Sequence, residues 1–185
     1  MPGILNFSVH QLHDDTPELL NEFYANMRTA TGPAKVTFWK RVFGTRVMAI
    51  SEFDDLETLN ASENAFIMSN AFEDFVEEGD APEDIDRFEI IHHQGATHED
   101  VPIDGYCSTN HYFAAPGHVS DELEESKYIM DSLWQINGFL GAYVGRSLIT
   151  PSRLDSLAFW SDVTAAEKAI PIRVNTNLRM YRRLA

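Results

Sequence analysis

The sequence is short of cysteine, of basic residues and of long apolar runs. A single cysteine, Cys107, cannot form an internal disulfide, so no oxidising compartment is implied. Lys and Arg number 14 against 29 Asp and Glu, a formal charge of −15. A field of that sign repels phosphate backbones and anionic membrane surfaces, which argues against nucleic acid and membrane partners. No apolar run approaches the ~20 residues of a membrane span. The start, Met-Pro-Gly-Ile-Leu-Asn, lacks the basic region of a signal peptide. Gly-x-Gly-x-x-Gly, Walker and Gly-x-Ser-x-Gly patterns are absent, which removes the usual nucleotide and acyl-transfer readings. The expectation is a soluble cytoplasmic protein. Its 44% hydrophobic content is enough for a folded core in 185 residues.

The chain then matches itself. Asn6 falls on Asn110, Glu18 on Glu122, Leu19 on Leu123, Tyr24 on Tyr128 and Trp39 on Tyr143. With a longer loop in the second half, Arg46 meets Arg153, Ile50 meets Leu157 and Phe53 meets Trp160. Most positions between do not match, but the order of elements repeats. In the first half, Ile4 to Leu12 alternates as a strand, and Pro17 opens a helix carrying Leu19, Leu20, Phe23, Tyr24 and Met27 at helical spacing. Gly32-Pro33 ends it. Strands follow over Lys35 to Phe43 and Arg46 to Phe53, joined by a Gly44-Thr45 turn. Asp54 and Asp55 cap a helical stretch reaching Val76, and Arg87 to His93 is a last strand. In the second half, strands are expected over Tyr106 to Ala114, Phe139 to Leu148, Leu154 to Trp160 and Leu178 to Leu184. A helix capped by Ser120 runs through Trp134 and Ile136 to an Asn137-Gly138 stop, and a short one spans Asp162 to Ile170.

Each half thus reads β-α-β-β-α-β, a ferredoxin-like unit. The fold class is α+β, with two such repeats forming an intramolecular pseudo-dimeric α+β barrel whose strands pair across the halves. The first half spans 1–94, with an insertion about 63–86 whose acidic stretch Glu77 to Asp86 reads as a solvated loop. Residues 95–105 are the linker and 106–185 the second half.

Asn137-Gly-Phe-Leu-Gly141, Phe159-Trp160-Ser-Asp and Ala165-Ala-Glu-Lys-Ala169 resemble the antibiotic biosynthesis monooxygenase-like family of dimeric α+β barrels. Ser69-Asn-Ala-Phe72 resembles a helical stretch of its heme-degrading members. The resemblance implies a pocket between the sheet and the helices of a half, with further dimerisation allowed but not required. It also implies chemistry ranging over cofactor-free oxygenases, heme-degrading monooxygenases, quinol oxygenases and isomerases. Heme-degrading members use an Asn on the first strand, a Trp ending the third and a His on the second helix. Here the first half has Asn6, Phe53 and Val76; the second has Asn110 and Trp160 but no His after it. Neither half holds the full set.

These residues point to a cofactor-independent oxygenase, a monooxygenase acting on a small apolar or aromatic molecule. Asn110 and Trp160 are the leading catalytic candidates. An Asn amide donates to a carbonyl or oxyanion without changing charge, and Trp offers a flat apolar wall. His10 shares the face of Asn6 and is the candidate base; His111 points away from Asn110. Asn6, Tyr112 and Tyr143 are candidate substrate-binding residues. The alternatives are a non-catalytic protein carrying heme or another hydrophobic ligand, a heme-degrading monooxygenase-like protein, or an interaction domain using the insertion as its partner surface. No metal is expected. His92 and His93 would point to opposite strand faces, which breaks up the cluster they form with His98, Glu99 and Asp100. Cys107 reads as a small buried strand residue.

Overall fold

Alternation along the first strand sets the architecture. A computed structural model describes residues 3–11, 16–31, 35–68, 84–169 and 178–184. In β1 (Ile4–Gln11), Leu5, Phe7 and Val9 enter one apolar core while Ile4 joins a second on the opposite face. The strands β2 (Lys35–Arg41), β3 (Arg46–Phe53), β4 (Asp84–Gly95), β5 (Tyr106–Phe113), β6 (Phe139–Ser147), β7 (Arg153–Trp160) and β8 (Arg179–Arg183) complete a closed antiparallel barrel, ordered β1-β3-β2-β8-β5-β7-β6-β4. The first four strands lie as β4-β1-β3-β2 and the last four as β8-β5-β7-β6. The seams between these sets are β2·β8 and β4·β6.

The barrel is filled by side chains. Leu5, Phe7, Trp39, Met48, Phe88, Tyr143, Phe159 and Tyr181 meet inside it, all nearly inaccessible. At the β4·β6 seam a side chain on Gly145 would collide with the Phe88 ring, so glycine lets the strands close around that ring. Cys107 is a buried strand residue, as expected.

Four helices cover the outer faces among the described residues. On α1 (Pro17–Thr31), Leu20, Phe23 and Tyr24 pack on Phe38, Val47 and Ala49. On α2 (Leu56–Met68), Asp55 accepts from the Thr58 N–H at 2.7 Å, and Leu59 packs with Ile4 and Phe53. On α3 (Val119–Ser132), Met130 is buried. A 3-10 turn at Leu133–Gln135 follows, and Gly138 at φ 97° makes the turn into β6. On α4 (Val163–Ala169), Ala165, Ala166 and Ala169 lie close on Ala158 and Trp160. No described helix is long and apolar enough to cross a membrane.

Several expectations need correction. Helix α3 starts at Val119, with His118 in the cap position and no side-chain cap bond, so Ser120 does not cap it. The strand expected over Arg87 to His93 runs from Asp84 to Gly95. Asp86, assigned to a solvated loop, is 1% exposed, because it faces the barrel interior beside an arginine. His98, read as part of a polar linker, is 0% exposed, and Val101 in the same segment enters the barrel core. The Arg183 side chain donates to the carbonyls of Glu99 and Val101 and so anchors that segment. Asp14, Gly32-Pro33, Ser69 to Phe72 and Val76 lie outside the described residues.

Candidate functional site

The barrel interior is packed, so room for a ligand has to lie on the outer, helix-covered faces or at the barrel ends. On the outer face of β1 stand Ile4, Asn6, Ser8 and His10; on that of β5 stand Tyr106, Ser108, Asn110 and Tyr112. Asn6 and Asn110 share a property at these matching positions. The Oδ1 of each is buried and has no hydrogen-bond partner among the described residues. A buried amide oxygen left without a donor costs roughly 1–3 kcal/mol, so each is an acceptor that a hydroxyl or amide could satisfy.

The two asparagines sit in different surroundings. Asn6 lies in register between Ser51 of β3 and Arg87 of β4. Arg87 reaches α2, where its guanidinium meets the Glu63 carboxylate at 2.5 Å. Burial pushes the Glu63 carboxyl above its usual range, and Arg87 offsets part of that. An amide, a guanidinium and a carboxyl with raised proton affinity therefore neighbour one another between sheet and helix. Arg87 and Glu63 were not singled out from the sequence; only the β1–β4 register brings them to Asn6. His10 is 4% exposed on the same face, but about 13 Å further along the strand.

Asn110 stands opposite Ser156. Its neighbour Tyr112 is engaged by α3, donating to the Glu122 carbonyl at 3.0 Å and bonding the Ser126 hydroxyl, and burial raises its phenol pKa. Trp160 is 0% exposed, packs edge-on to Phe139, and donates from Nε1 to Ser108 Oγ at 2.9 Å. Tyr143 is on the other side of the sheet. It faces the barrel interior, stacked on His93 with ring centroids 4.6 Å apart, and burial raises its phenol pKa. β1 and β5 lie diametrically across the barrel. The structure thus brings Asn6 and His10 to one face, Asn110, Trp160 and Tyr112 to another, and Tyr143 to neither.

Two buried polar networks occupy the barrel interior toward opposite ends of β4 and β6. At one, Arg153 meets Asp86 at 2.8 Å and Asp155 at 2.8 Å, and Ser147 donates to Asp86 at 2.6 Å. Burial pushes the Asp155 carboxyl up to about 8, Arg153 opposes this, and Asp86 adds to it. At the other, the Trp39 indole N–H donates to Thr37 Oγ1 at 2.8 Å, and that hydroxyl lies 2.8 Å from His98 Nδ1. With the Thr37 proton turned to Nδ1, His98 carries its own on Nε2, facing Glu52 at 3.6 Å. Hydrogen bonding to His98 holds the Glu52 carboxyl below its usual range. The lone acid in the apolar stretch Leu154-Asp-Ser-Leu is the one signal that could have pointed to the first network, and it was not singled out. The second had none, because its members come from two strands and a loop far apart in the chain. His92 turns to α3, where it meets Asp131 at 3.0 Å, while His93, exposed, stacks on the Tyr143 ring. Among the described residues no three His, Cys, Asp or Glu side chains gather as a metal site.

No known family profile matches the chain, and no curated protein matches it. Solved structures do. An anthrone oxidase-like protein superposes with a TM-score of 0.71 at 13% identity, over 100% of this chain and 92% of that one. A ferredoxin-fold protein related to antibiotic biosynthesis monooxygenases, from Listeria monocytogenes, gives 0.56 at 8%, over 99% and 96%. A heme-degrading enzyme, also from Listeria monocytogenes, gives 0.55 at 8%, over 97% and 98%. At these identities the likeness is one of fold. The neighbours are of the monooxygenase and ferredoxin-fold type, and they include a chlorite dismutase-like member.

Proposed function

We propose that the chain is a cofactor-independent oxygenase of a small hydroxylated aromatic molecule, bound between the sheet and helices of its first half. Residues 1–94 and 106–185 act as two tandem units closed into one pseudo-dimeric barrel. The repeated order 4-1-3-2 among each set of four strands supports that reading. The observation that carries the site is the orphaned amide oxygen of Asn6 beside Arg87 and Glu63. The Asn6 oxygen accepts from a substrate hydroxyl. Glu63 takes a proton from the activated carbon, its basicity raised by burial. Arg87 stabilises the enolate oxygen that results. The carbanion passes electrons to dioxygen, and a substrate CH2 with one O2 ends as a carbonyl and one water. A fold neighbour named anthrone oxidase-like fits this chemistry.

His10 serves this pocket as a distant polar wall, and Asn110 with Tyr112 marks a second, more tightly packed copy of the place. Trp160 holds that copy's core. Heme in the manner of the heme-degrading relatives is not supported by the residues present, since the described parts of α2 and α4 carry no histidine to ligate iron. The test follows oxygen uptake with 1,8-dihydroxyanthrone and a quinol. Turnover is expected, with kcat/KM at least tenfold lower in Asn6→Ala and Glu63→Gln and little changed in Asn110→Ala. Absence of turnover, or full activity in both first-half variants, would refute the reading.

A further inference from the structure

Two residues adjacent in β4 belong to the two polar groups on either side of the barrel wall. Alternation turns Asp86 and Phe88 into the barrel and Arg87 out to the face it shares with Asn6. One peptide unit therefore joins the interior acid network to the candidate site. The join is a hydrogen bond, in which the Arg87 N–H donates to Asp86 Oδ1 at 2.7 Å. The same oxygen accepts from the Ser147 hydroxyl at 2.6 Å. Ser147 Oγ in turn accepts from the Ile149 and Thr150 N–H groups, and the Arg87 carbonyl accepts from the Leu148 N–H at 2.7 Å. Both main-chain polar groups of Arg87 are thus tied to Asp86 or to the turn that follows β6. On the outer side its guanidinium meets Glu63 at 2.5 Å, while its Nε is buried with no hydrogen-bond partner among the described residues. Where that donor points depends on the backbone that carries it.

We propose that Asp86 is a positioning residue of the candidate site, and that a proton held on Asp155 behind it decides how Arg87 is presented. The inference rests on the reading of Arg87 as the group that stabilises the enolate oxygen. Arg153 bridges the two acids, 2.8 Å from each, and both acids are buried. With one proton between them, two carboxyls and one guanidinium carry no net charge. Asp155 then donates to Asp86, and Asp86 keeps its bonds to Ser147 and the Arg87 N–H. Loss of that proton leaves two carboxylates sharing one guanidinium in a dry interior. Their repulsion loads the bonds that Asp86 makes, and the backbone of Arg87 moves with them. Burial pushes the Asp155 carboxyl up to about 8, with Arg153 opposing and Asp86 adding, so the change falls just above neutral pH. The charged or titratable groups that share this interior row are Asp86 on β4, Arg153 on β7, and His111, in register with Asp155 on β5. β6 brings Gly145 and Ser147 to it, and β1 brings Phe7, whose ring lies under Arg153.

Amide and guanidinium NMR of the full chain tests it, with the Arg87 Nε–H resonance assigned by its loss in Arg87→Lys. In the wild type that resonance and the Arg87 amide are expected to move with pH along one curve with a midpoint near 8, above the ordinary histidine value of about 6.5. In Asp155→Asn both should hold their low-pH positions throughout, and in Glu63→Gln the midpoint should persist. If Asp155→Asn fails to fold, Ser147→Ala, which removes one donor from Asp86, should move the midpoint upward by about half a pH unit. Oxygen uptake with 1,8-dihydroxyanthrone gives a second readout. From pH 7 to 9, kcat/KM should fall at least threefold in the wild type relative to Asp155→Asn. Absence of turnover would end the oxygenase reading and leave the resonances to decide this one. Arg87 resonances that do not titrate near 8, that titrate alike in Asp155→Asn, or that keep their midpoint in Ser147→Ala would overturn the proposal.

Discussion

At the scale of single residues, the protein places ionisable groups where burial changes their chemistry. Asp155 is the clearest case. Its carboxyl is pushed up to about 8 by burial, with Asp86 adding to the effect and Arg153 opposing it. An acid held more tightly protonated in the folded chain than in the unfolded one gives stability that is complete below the ordinary carboxylate range. That stability is lost as pH rises toward about 8. The slope for one such group approaches 1.36 kcal/mol per pH unit. Denaturant midpoints measured between pH 5 and 8 should therefore fall with pH in the wild type, and Asp155→Asn should flatten that fall. A variant with the same pH dependence as the wild type would show that Asp155 titrates normally. His98 and Asp86 show why such residues escape a reading of the chain. Each sits among Gly, Pro and acidic neighbours that locally signal solvent, and only long-range register turns it inward.

At the scale of elements, periodicity was legible where one face meets a core. The strand Arg46–Phe53 and the apolar spacing of the first helix follow from alternation and from Leu20, Phe23 and Tyr24. The Asp55 cap of α2 was legible too, whereas the start of α3 and the ends of β4 were not. Asp84 and Ile85 extend that strand because β1 offers a partner, a fact invisible locally. The candidate site was legible in the same partial way. Asn6 was recognisable from its repeat position, whereas Glu63 and Arg87 join it only through the β1–β4 pairing and the docking of α2. The β4·β6 seam makes its own prediction. Gly145→Ala drives a methyl group into Phe88, and overpacking of this kind costs about 1–3 kcal/mol. Urea denaturation should show an unfolding free energy lowered by that amount and a lower midpoint, and an unchanged midpoint would mean that Phe88 moves freely.

At the scale of the whole molecule, the two sets of four strands share one interior. Phe7, Trp39 and Met48 from the first set touch the same core as Tyr143, Phe159 and Tyr181 from the second. Neither set could keep that face dry alone, so unfolding should be a single transition. Hydrogen exchange of peptides from β1 and β5 should lose protection at the same denaturant concentration. Separate transitions would mean that the halves are independent domains. The same arrangement fills the barrel and leaves the proposed chemistry to its outer faces, where Asn6, Arg87 and Glu63 neighbour one another. The most direct test of that claim is the fate of labelled oxygen. The protein is incubated with 1,8-dihydroxyanthrone under 18O2 and the product is weighed by mass spectrometry. One 18O atom is expected in the new carbonyl, in an amount that drops with Asn6→Ala. Product without label, or label that is indifferent to Asn6, would contradict the account.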